Sequence, residues 1–350
     1  CAQRRVFAQT VSGCHLGVDA FGFEDAVHGH AVHKQRRLGN LCLFERLAIG
    51  VLIARPEHDA GQVEPQRCIS GLENAGVNVD KDSRPSPIGG GDISAAWRLD
   101  ASEAAVFLKT GPASSYEMFA AEAEGLIELA TPAAIRVPSL IAFGTQGDTS
   151  YVAFEWLDFD RQKLDAEQKL GKQLAELHRT TKKRYGWHRD NTIGLTPQLN
   201  DWSDNWVEFL QEQRLGYQLR LAADNGFAGA LQEPGACLLK RLPIWFENYN
   251  PLPSLLHGDL WGGNWASCGG EPVIFDPAVY YGDRESDLAM TRLFGGFGRT
   301  FYEAYEAAWP LEPGHEARND IYQLYHVLNH LNLFGSGYLG RAQELLRKLQ

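Results

Sequence analysis

Hydrophobic and polar positions alternate in a readable pattern only from Pro65 onward. In "QRCISGLENAG", Ile69, Leu72 and Ala75 recur at helical spacing and Gly76 ends the run, which predicts a short helix with a glycine stop. Gly89, Gly90 and Gly91 then precede an alternation of Ile93, Ala95, Trp97 and Leu99, and "AAVFLKT" supplies a second short apolar run ending in a lysine, Lys109. That is a strand, turn, strand ribbon with a glycine hinge. "YEMFAAEAEGLIELA" places Phe119, Ala123, Leu126 and Leu129 on one helical face, and "RVPSLIAFG" and "SYVAFEWLDF" read as two more strands. From Lys163 the period becomes helical, in "LDAEQKLGKQLAELHR", "NWVEFLQEQRLGYQLRLAADNG" and "CLLKRLPIWFENY". The pattern predicts an α+β chain in which a strand-rich lobe, 65–157, precedes a helix-rich lobe, 158–350, with the change of character near Phe154 to Phe159.

Residues 1–64 hold neither period, so they are expected to be a poorly ordered extension outside the main fold. Within them His28, His30 and His33 lack a carboxylate or cysteine at matching spacing, which argues against a metal site. The only methionines are Met118 and Met290, so a chain that starts at Cys1 reads as a fragment, a processed chain or a translation begun upstream of the true start.

Composition narrows the partners. Hydrophobic residues make up 44% and charged residues 22%, as in ordinary globular proteins. A formal net charge of −11 argues against a nucleic-acid surface as the main function, because phosphate-backbone binding needs a basic stripe. No apolar run approaches membrane-spanning length, "LAIGVLIA" being too short, so no membrane partner is expected. The six cysteines, at 1, 14, 42, 68, 237 and 268, show no CxxC spacing and fit reduced thiols in a cytoplasmic protein. A small-molecule partner remains.

The chemistry concentrates in "LLHGDLWGGNW". His257-x-Asp259 is followed by Asn264 five residues after the aspartate, and Asp276 stands twelve further on in the apolar setting "VIFDP". This is the order of a phosphotransferase catalytic loop and its metal-binding aspartate. One carboxylate must accept the acceptor hydroxyl's proton, while an amide oxygen and a second carboxylate hold Mg²⁺ against the phosphates of ATP. Asp259 is the expected base; Asn264 and Asp276 are the expected metal ligands. Asp, Asn and Gly also dominate ordinary turns, so the features upstream matter. Gly89, Gly90 and Gly91 allow backbone amides to approach phosphate, although "GGGDIS" is not a Walker sequence. Lys109 follows on a strand, and Glu122, or in its place Glu124, lies on the next helix as the partner of its ammonium.

"LLHGDLWGGNW", "IFDPAVYYGDRESDLAM", "MFAAEAEGL" and "NTIGLTPQLNDWSDNWVEFLQEQRLGYQLRLA" together resemble the fructosamine kinase (ketosamine-3-kinase) family, over about residues 66–350. Its relatives are the aminoglycoside and choline phosphotransferases, with a protein-kinase-like two-lobe fold. The resemblance implies Asp259 as base, Asn264 and Asp276 as metal ligands, Lys109 and Glu122 as the nucleotide clamp, and Phe154 to Leu157, with Glu155 and Trp156 between them, as the hinge against which adenine rests. It implies a ketosamine acceptor, a free small molecule or a glycated lysine, whose phosphorylated form falls apart, so that the activity is deglycating repair. Some members carry a cysteine in the glycine-rich loop; Gly91 and Asp92 occupy that region here, so a thiol switch is not expected.

Other residues carry structural alternatives. Asp287 is expected to cap a helix while bracing the catalytic loop, and His257 to hold the loop backbone rather than transfer protons. Asp283 and Arg284 fit either a pair ordering the metal loop or a solvated turn. Trp202 and Trp206 read most simply as helix core, with stacking on a sugar as the sharper idea. Asn191, Thr196 and Gln198 lie in the polar "DNTIGLTPQ", which helical packing does not explain, and are candidates for shaping the acceptor side. Rival functions are phosphorylation of an aminoglycoside or choline-type alcohol, and a nucleotide-binding pseudokinase scaffold, which has no need of a base.

Overall fold

The computed structural model describes residues 65–80, 83–89, 94–160 and 165–350; the expectations for 1–64, for Gly90 and Gly91 and for Ile93 lie outside them. Helix α1 (Ile69–Asn74) comes first, followed by strands β1 (Ser86–Ile88), β2 (Ala95–Leu99) and β3 (Val106–Pro112), helix α2 (Tyr116–Ala130), and strands β4 (Leu140–Gln146) and β5 (Thr149–Glu155). The five strands form one antiparallel sheet in the order β1-β2-β3-β5-β4. Lys109 lies in the middle of β3, because that strand continues to Pro112 rather than ending at the lysine.

Two-residue alternation divides the sheet's faces. Val106 and Leu108 of β3 pack with Tyr151 and Ala153 of β5 against Cys68 and Leu72, which puts α1 on one face. Val152 and Phe154 turn the other way and join Phe119, Leu126 and Leu129 of α2. Lys109, odd-numbered like Phe107, shares the α2 face, opposite Val152 in register. A one-residue slip of β3 would send the lysine to the α1 side.

After β5 the chain becomes helical. Helix α3 (Ala166–His178) is followed by a hairpin of β6 (Asn191–Ile193) and β7 (Thr196–Gln198). Next come α4 (Trp206–Phe209), α5 (Gly216–Ala222) and α6 (Ala228–Arg241), joined by π-helical stretches at Leu210–Leu215 and Ala223–Phe227. The Asn205 side chain caps α4 by accepting from the amides of Val207 and Glu208. Strands β8 (Ser254–Leu256), β9 (Trp265–Cys268), β10 (Glu271–Ile274) and β11 (Tyr280–Gly282) pair as β8 with β11 and β9 with β10. Helices α7 (Glu285–Leu293), α8 (Arg299–Ala308), α9 (His315–Phe334) and α10 (Leu339–Lys348) complete the chain. The α5, α7 and α9 cores meet through Leu219, Leu288, Leu324 and Leu328, all buried. Among the described residues, no helix is long and apolar enough to cross a membrane.

Candidate active site

Strand β8 delivers the chain into the loop 257–264, and β10 delivers it to Asp276. The loop is held from below. Asp287, in the first turn of α7, accepts the amide of His257 at 2.8 Å and that of Gly258 at 2.8 Å. Gly258 has φ +84, and a Cβ there would lie 2.0 Å from the carbonyl oxygen of Ala278, so only glycine allows the loop to lie against the segment after Asp276. His257 uses both ring nitrogens on backbone: Nε2 lies 2.9 Å from the Phe275 carbonyl oxygen, and Nδ1 accepts from the amide of Asp259 at 3.3 Å. Burial lowers the His257 pKa, so the ring is neutral and acts as a brace, as expected.

The brace itself is layered. His178, fully buried on α3, stands 3.2 Å from Asp287 and, through Nδ1, 2.9 Å from the Tyr305 hydroxyl. Burial opposes ionisation of Asp287, but hydrogen bonds from His178 and Gly258 together with the neighbouring imidazoles lower its pKa overall. Asp287 does not cap α7. The N-cap position is held by Arg284, and the Asp283 side chain before it accepts the amide of Glu285 at 3.0 Å. Nor do Asp283 and Arg284 form a solvated turn or pair with each other: both are buried, Asp283 accepting from Tyr249 and Tyr322 while Arg284 donates to the carbonyls of Trp309 and Pro310. Burial, with Glu285 alongside, pushes the Asp283 pKa up to about 7.

Asn264 ties the two halves of the site together. Its Nδ2 donates to the Asp259 carbonyl at 2.9 Å and lies 3.3 Å from both the Asp259 carboxylate and the Asp276 carbonyl. Its Oδ1 is left for another ligand. Asp276 has φ +56, a left-handed conformation that costs a non-glycine residue energy and turns the carboxylate toward β3. There Lys109 Nζ lies 2.6 Å from Asp276 Oδ1 and 2.7 Å from Glu122 Oε1. Burial works against the ammonium, but the charges of Asp276 and Glu122 overcome it and raise the Lys109 pKa. Glu124 is not the partner: it is engaged by Arg189 and His188.

The Asp259 carboxyl is pushed up to about 7, first by burial and then by the charges of Asp276 and Asp287. A base with that pKa is half ionised near neutral pH. The oxygen donors beside it, from Asn264 and Asp276, are hard, a set that would suit Mg²⁺ rather than zinc or copper. Among the described residues, no three His, Cys, Asp or Glu side chains cluster as a metal cage; Asn264 and Asp276 would share a cation with oxygens from outside the chain.

The remaining expected residues are placed as follows. Gly89 is exposed at the end of β1. The Glu155 carboxylate accepts from the amide and hydroxyl of Ser139, both at 3.0 Å, while the amides of Glu155 and Trp156 donate to the carbonyls of Ser139 and Ala105. Trp156 stacks under Arg98, and Leu157 is half-buried beyond it. Trp206 is helix core, with Nε1 donating to the Tyr322 hydroxyl at 3.0 Å. Trp202 precedes the helix instead of lying on it, and packs beside Tyr281 and Lys182.

The expectation that Gln198 and Asn191 face an acceptor is corrected by their surroundings. Gln198 is 1% exposed. Its Nε2 donates to Asn191 Oδ1 at 2.8 Å and to the Ala278 carbonyl at 3.0 Å, and its Oε1 accepts from the Tyr325 hydroxyl at 2.8 Å. Asn191 Nδ2 donates to the Val279 carbonyl at 2.8 Å, and Thr196 is buried opposite Ile193 in the same hairpin. These side chains hold the segment that follows Asp276. Sequence reasoning also passed over Asn200 and Arg214, which extend the network through a 2.7 Å contact, and Asp160, which accepts from Ser267 and the amides of Gly269 and Gly270 just beyond the connector. For Asn200 the available signal was "DNTIGLTPQLN", too polar for core and too long for a turn; Arg214 and Asp160 lie outside it.

A strand-rich lobe presenting a lysine–glutamate pair to an aspartate–asparagine–aspartate loop on a helical lobe defines a protein-kinase-like phosphotransferase. Residues 67–350 match the family model described as fructosamine kinase, and the chain belongs to that family. A Synechocystis protein named as a ketoamine kinase is 46% identical over 263 residues, 75% of this chain and 88% of that one. The chloroplastic protein-ribulosamine 3-kinase of Arabidopsis thaliana is 44% identical over 265 residues, 74% of this chain and 80% of that one. The crystal structure of a Haemophilus somnus protein named as a fructosamine-3-kinase superposes with a TM-score of 0.74 at 29% identity, covering 80% of this chain and 96% of that one.

Proposed function

We propose that this protein transfers the γ-phosphoryl group of ATP to a hydroxyl of a ketosamine, with Asp259 as general base, Asn264 and Asp276 as Mg²⁺ ligands, and Lys109 with Glu122 as the clamp on the phosphates. The observation that carries this reading is the Asn264 amide, which joins Asp259 to the backbone of Asp276 while Asp276 itself reaches Lys109. The acceptor hydroxyl loses its proton to the Asp259 carboxylate as its oxygen bonds to the γ-phosphorus, and the bond from phosphorus to the β-phosphate oxygen breaks to release ADP. Bound Mg²⁺ would neutralise the charge that develops on the phosphates. Lys109, already between two carboxylates, exchanges part of its contact with Asp276 for phosphate oxygens.

The connector from Glu155 to Leu157 ends the proposed nucleotide lobe, 65–157, at the helical lobe, 158–350, and adenine rests against it; Gly89 to Gly91 cover the phosphates. The ketosamine acceptor rests on the family, whose members include proteins named for ketoamine and protein-ribulosamine substrates. The phosphorylated ketosamine then decomposes, which makes the reaction a deglycating repair, and the absence of paired cysteine motifs fits a cytoplasmic setting. ATP consumption measured against a panel of ketosamines, aminoglycosides and choline tests this. Turnover confined to ketosamines supports it; turnover of an aminoglycoside or choline alone, or of nothing in the panel, refutes it.

A further inference from the structure

Helix α2 presents carboxylates on two sides. Glu122 faces Lys109, whereas Glu117, Glu124 and Glu128 follow one another at intervals of seven and four residues, which a helix of 3.6 residues per turn brings back to nearly one direction. Every member of that stripe meets a partner from the helical lobe. Arg189 Nη1 donates to Glu124 Oε1 at 2.7 Å, and its Nη2 to Glu117 Oε2 at 2.5 Å and to the Glu117 carbonyl at 3.3 Å. His188 adds a 2.7 Å contact to Glu124, and Glu128 is held by Lys182 at 3.1 Å and by the Tyr281 hydroxyl at 2.5 Å.

Arg189 differs from the other partners in two ways. Its fork spans seven residues of α2, about 10 Å of helix rise, so it opposes rotation and sliding together. It also belongs to the short segment that grips the Asp276 side of the site, since two residues later Asn191 holds the Val279 carbonyl. Gly125 brings α2 against the gripped segment after Asp276: a Cβ there would lie 3.1 Å from Val279 Cγ2. The Arg189 side chain is 21% exposed and that of Glu124 35%, while Glu117 is 78% exposed, so the Glu124 arm is the less screened of the two.

We propose that Arg189 is a positioning residue for the nucleotide clamp: by forking across Glu117 and Glu124 it fixes the rotation and height of α2, and thereby the reach of Glu122 to Lys109. The proposal rests on the reading of Lys109 and Glu122 as the pair that meets the phosphates. It does not depend on which alcohol is phosphorylated.

Calorimetric titration of the full chain with Mg²⁺ and a non-hydrolysable ATP analogue tests it. Arg189→Gln is expected to weaken binding by roughly fivefold or more, the scale of coupling between groups that share one network, with the KM for acceptor unchanged within about twofold. In a Glu122→Gln background the same substitution is expected to change binding by less than about twofold, because the group it positions is already gone. Arg189→Lys, which keeps the charge and the stem without the fork, should fall between the two and serves if the glutamine variant does not fold. Nucleotide binding unchanged by Arg189→Gln, an equal loss in both backgrounds, or a rise in acceptor KM alone would each overturn the proposal. The calorimetric arm uses no acceptor and the KM arm is read with whichever alcohol the enzyme phosphorylates, so failure of the ketosamine assignment leaves the proposal standing.

Discussion

Asn264 donates its side-chain amide to the backbone carbonyl of Asp259 at 2.9 Å, and this one contact orients the rest of the site. With the NH₂ group turned toward Asp259 and the Asp276 carbonyl, the amide oxygen is the atom of this side chain that would hold a metal. Asp276→Asn should therefore raise the Mg²⁺ concentration needed for half-maximal turnover by about tenfold or more, with Asn264→Ala acting in the same direction. Initial rates against Mg²⁺ at saturating ATP measure this, and a superimposable titration would remove both residues from the metal site.

Asp259→Asn separates chemistry from binding. The variant keeps an acceptor for the Asn264 amide but cannot take a proton, so kcat should fall by about 10² or more while the affinity for Mg·ATP stays nearly intact. In the unsubstituted enzyme the acidic limb of kcat/KM should follow the free Asp259 carboxyl, rising with pH through about 7. Turnover close to that of the parent, or a flat profile from pH 5 to 8, contradicts the assignment.

The same substitution should stabilise the fold. Asp259 has its pKa raised in the folded state, from 3.8 to about 7, so the folded protein binds the proton more tightly than the unfolded chain does. Ionising it therefore costs stability: the cost is absent below the unfolded pKa, grows as pH rises, and is complete above the folded pKa. Asp259→Asn should show a Tm at least about 2–4 °C higher at pH 8, a margin that shrinks toward pH 4. Calorimetric scans across that range decide it; a Tm margin independent of pH would mean that the carboxyl is not the strained group.

How much of this was legible beforehand depends on the range of each interaction. The loop 257–264 could be read because its chemistry is local: a histidine, an aspartate and an asparagine at fixed spacing. Lys109 and Glu122 could be proposed because strand and helix periods are also local, though Lys109 was placed at a strand end when β3 runs on through Gly111 to Pro112. What could not be read is contact across long sequence separations. Gln198 meets Ala278 and Tyr325 only once the β6–β7 hairpin has packed against α9, and polarity alone cannot distinguish a side chain facing substrate from one buried against a carbonyl. Arg189 was invisible for the same reason, its partners lying 65 and 72 positions away.

The front of the chain yields a simple prediction. The family match starts at residue 67 and the hydrophobic pattern at Pro65, so a chain beginning near Val63 should fold and retain full kinase activity. Side-by-side turnover and melting curves test it. A loss of solubility or of rate would show that 1–64 contains a working part of the protein.

Gln198 gives the sharpest contrast between a residue that touches acceptor and one that holds the site in shape. Replacing it by alanine strips hydrogen bonds from the Ala278 carbonyl, the Asn191 amide oxygen and the Tyr325 hydroxyl, in a place closed to solvent. A buried polar group left without a partner costs about 1–3 kcal/mol, so a combined loss of ~2 kcal/mol or more is expected for Gln198→Ala, or roughly 4–8 °C in Tm for a domain of this size. Ala278 stands two residues beyond Asp276, so loosening it should raise the Mg²⁺ requirement as well. The KM for a ketosamine should move little, since no atom of Gln198 is free to reach it. Gln198→Glu should be worse than alanine, because it sets a carboxylate oxygen where two acceptors need a donor. The measurements are Tm, the Mg²⁺ titration and ketosamine KM on the same preparations. An unchanged Tm together with a KM raised about tenfold would return Gln198 to the acceptor site and undo the bracing role assigned to it.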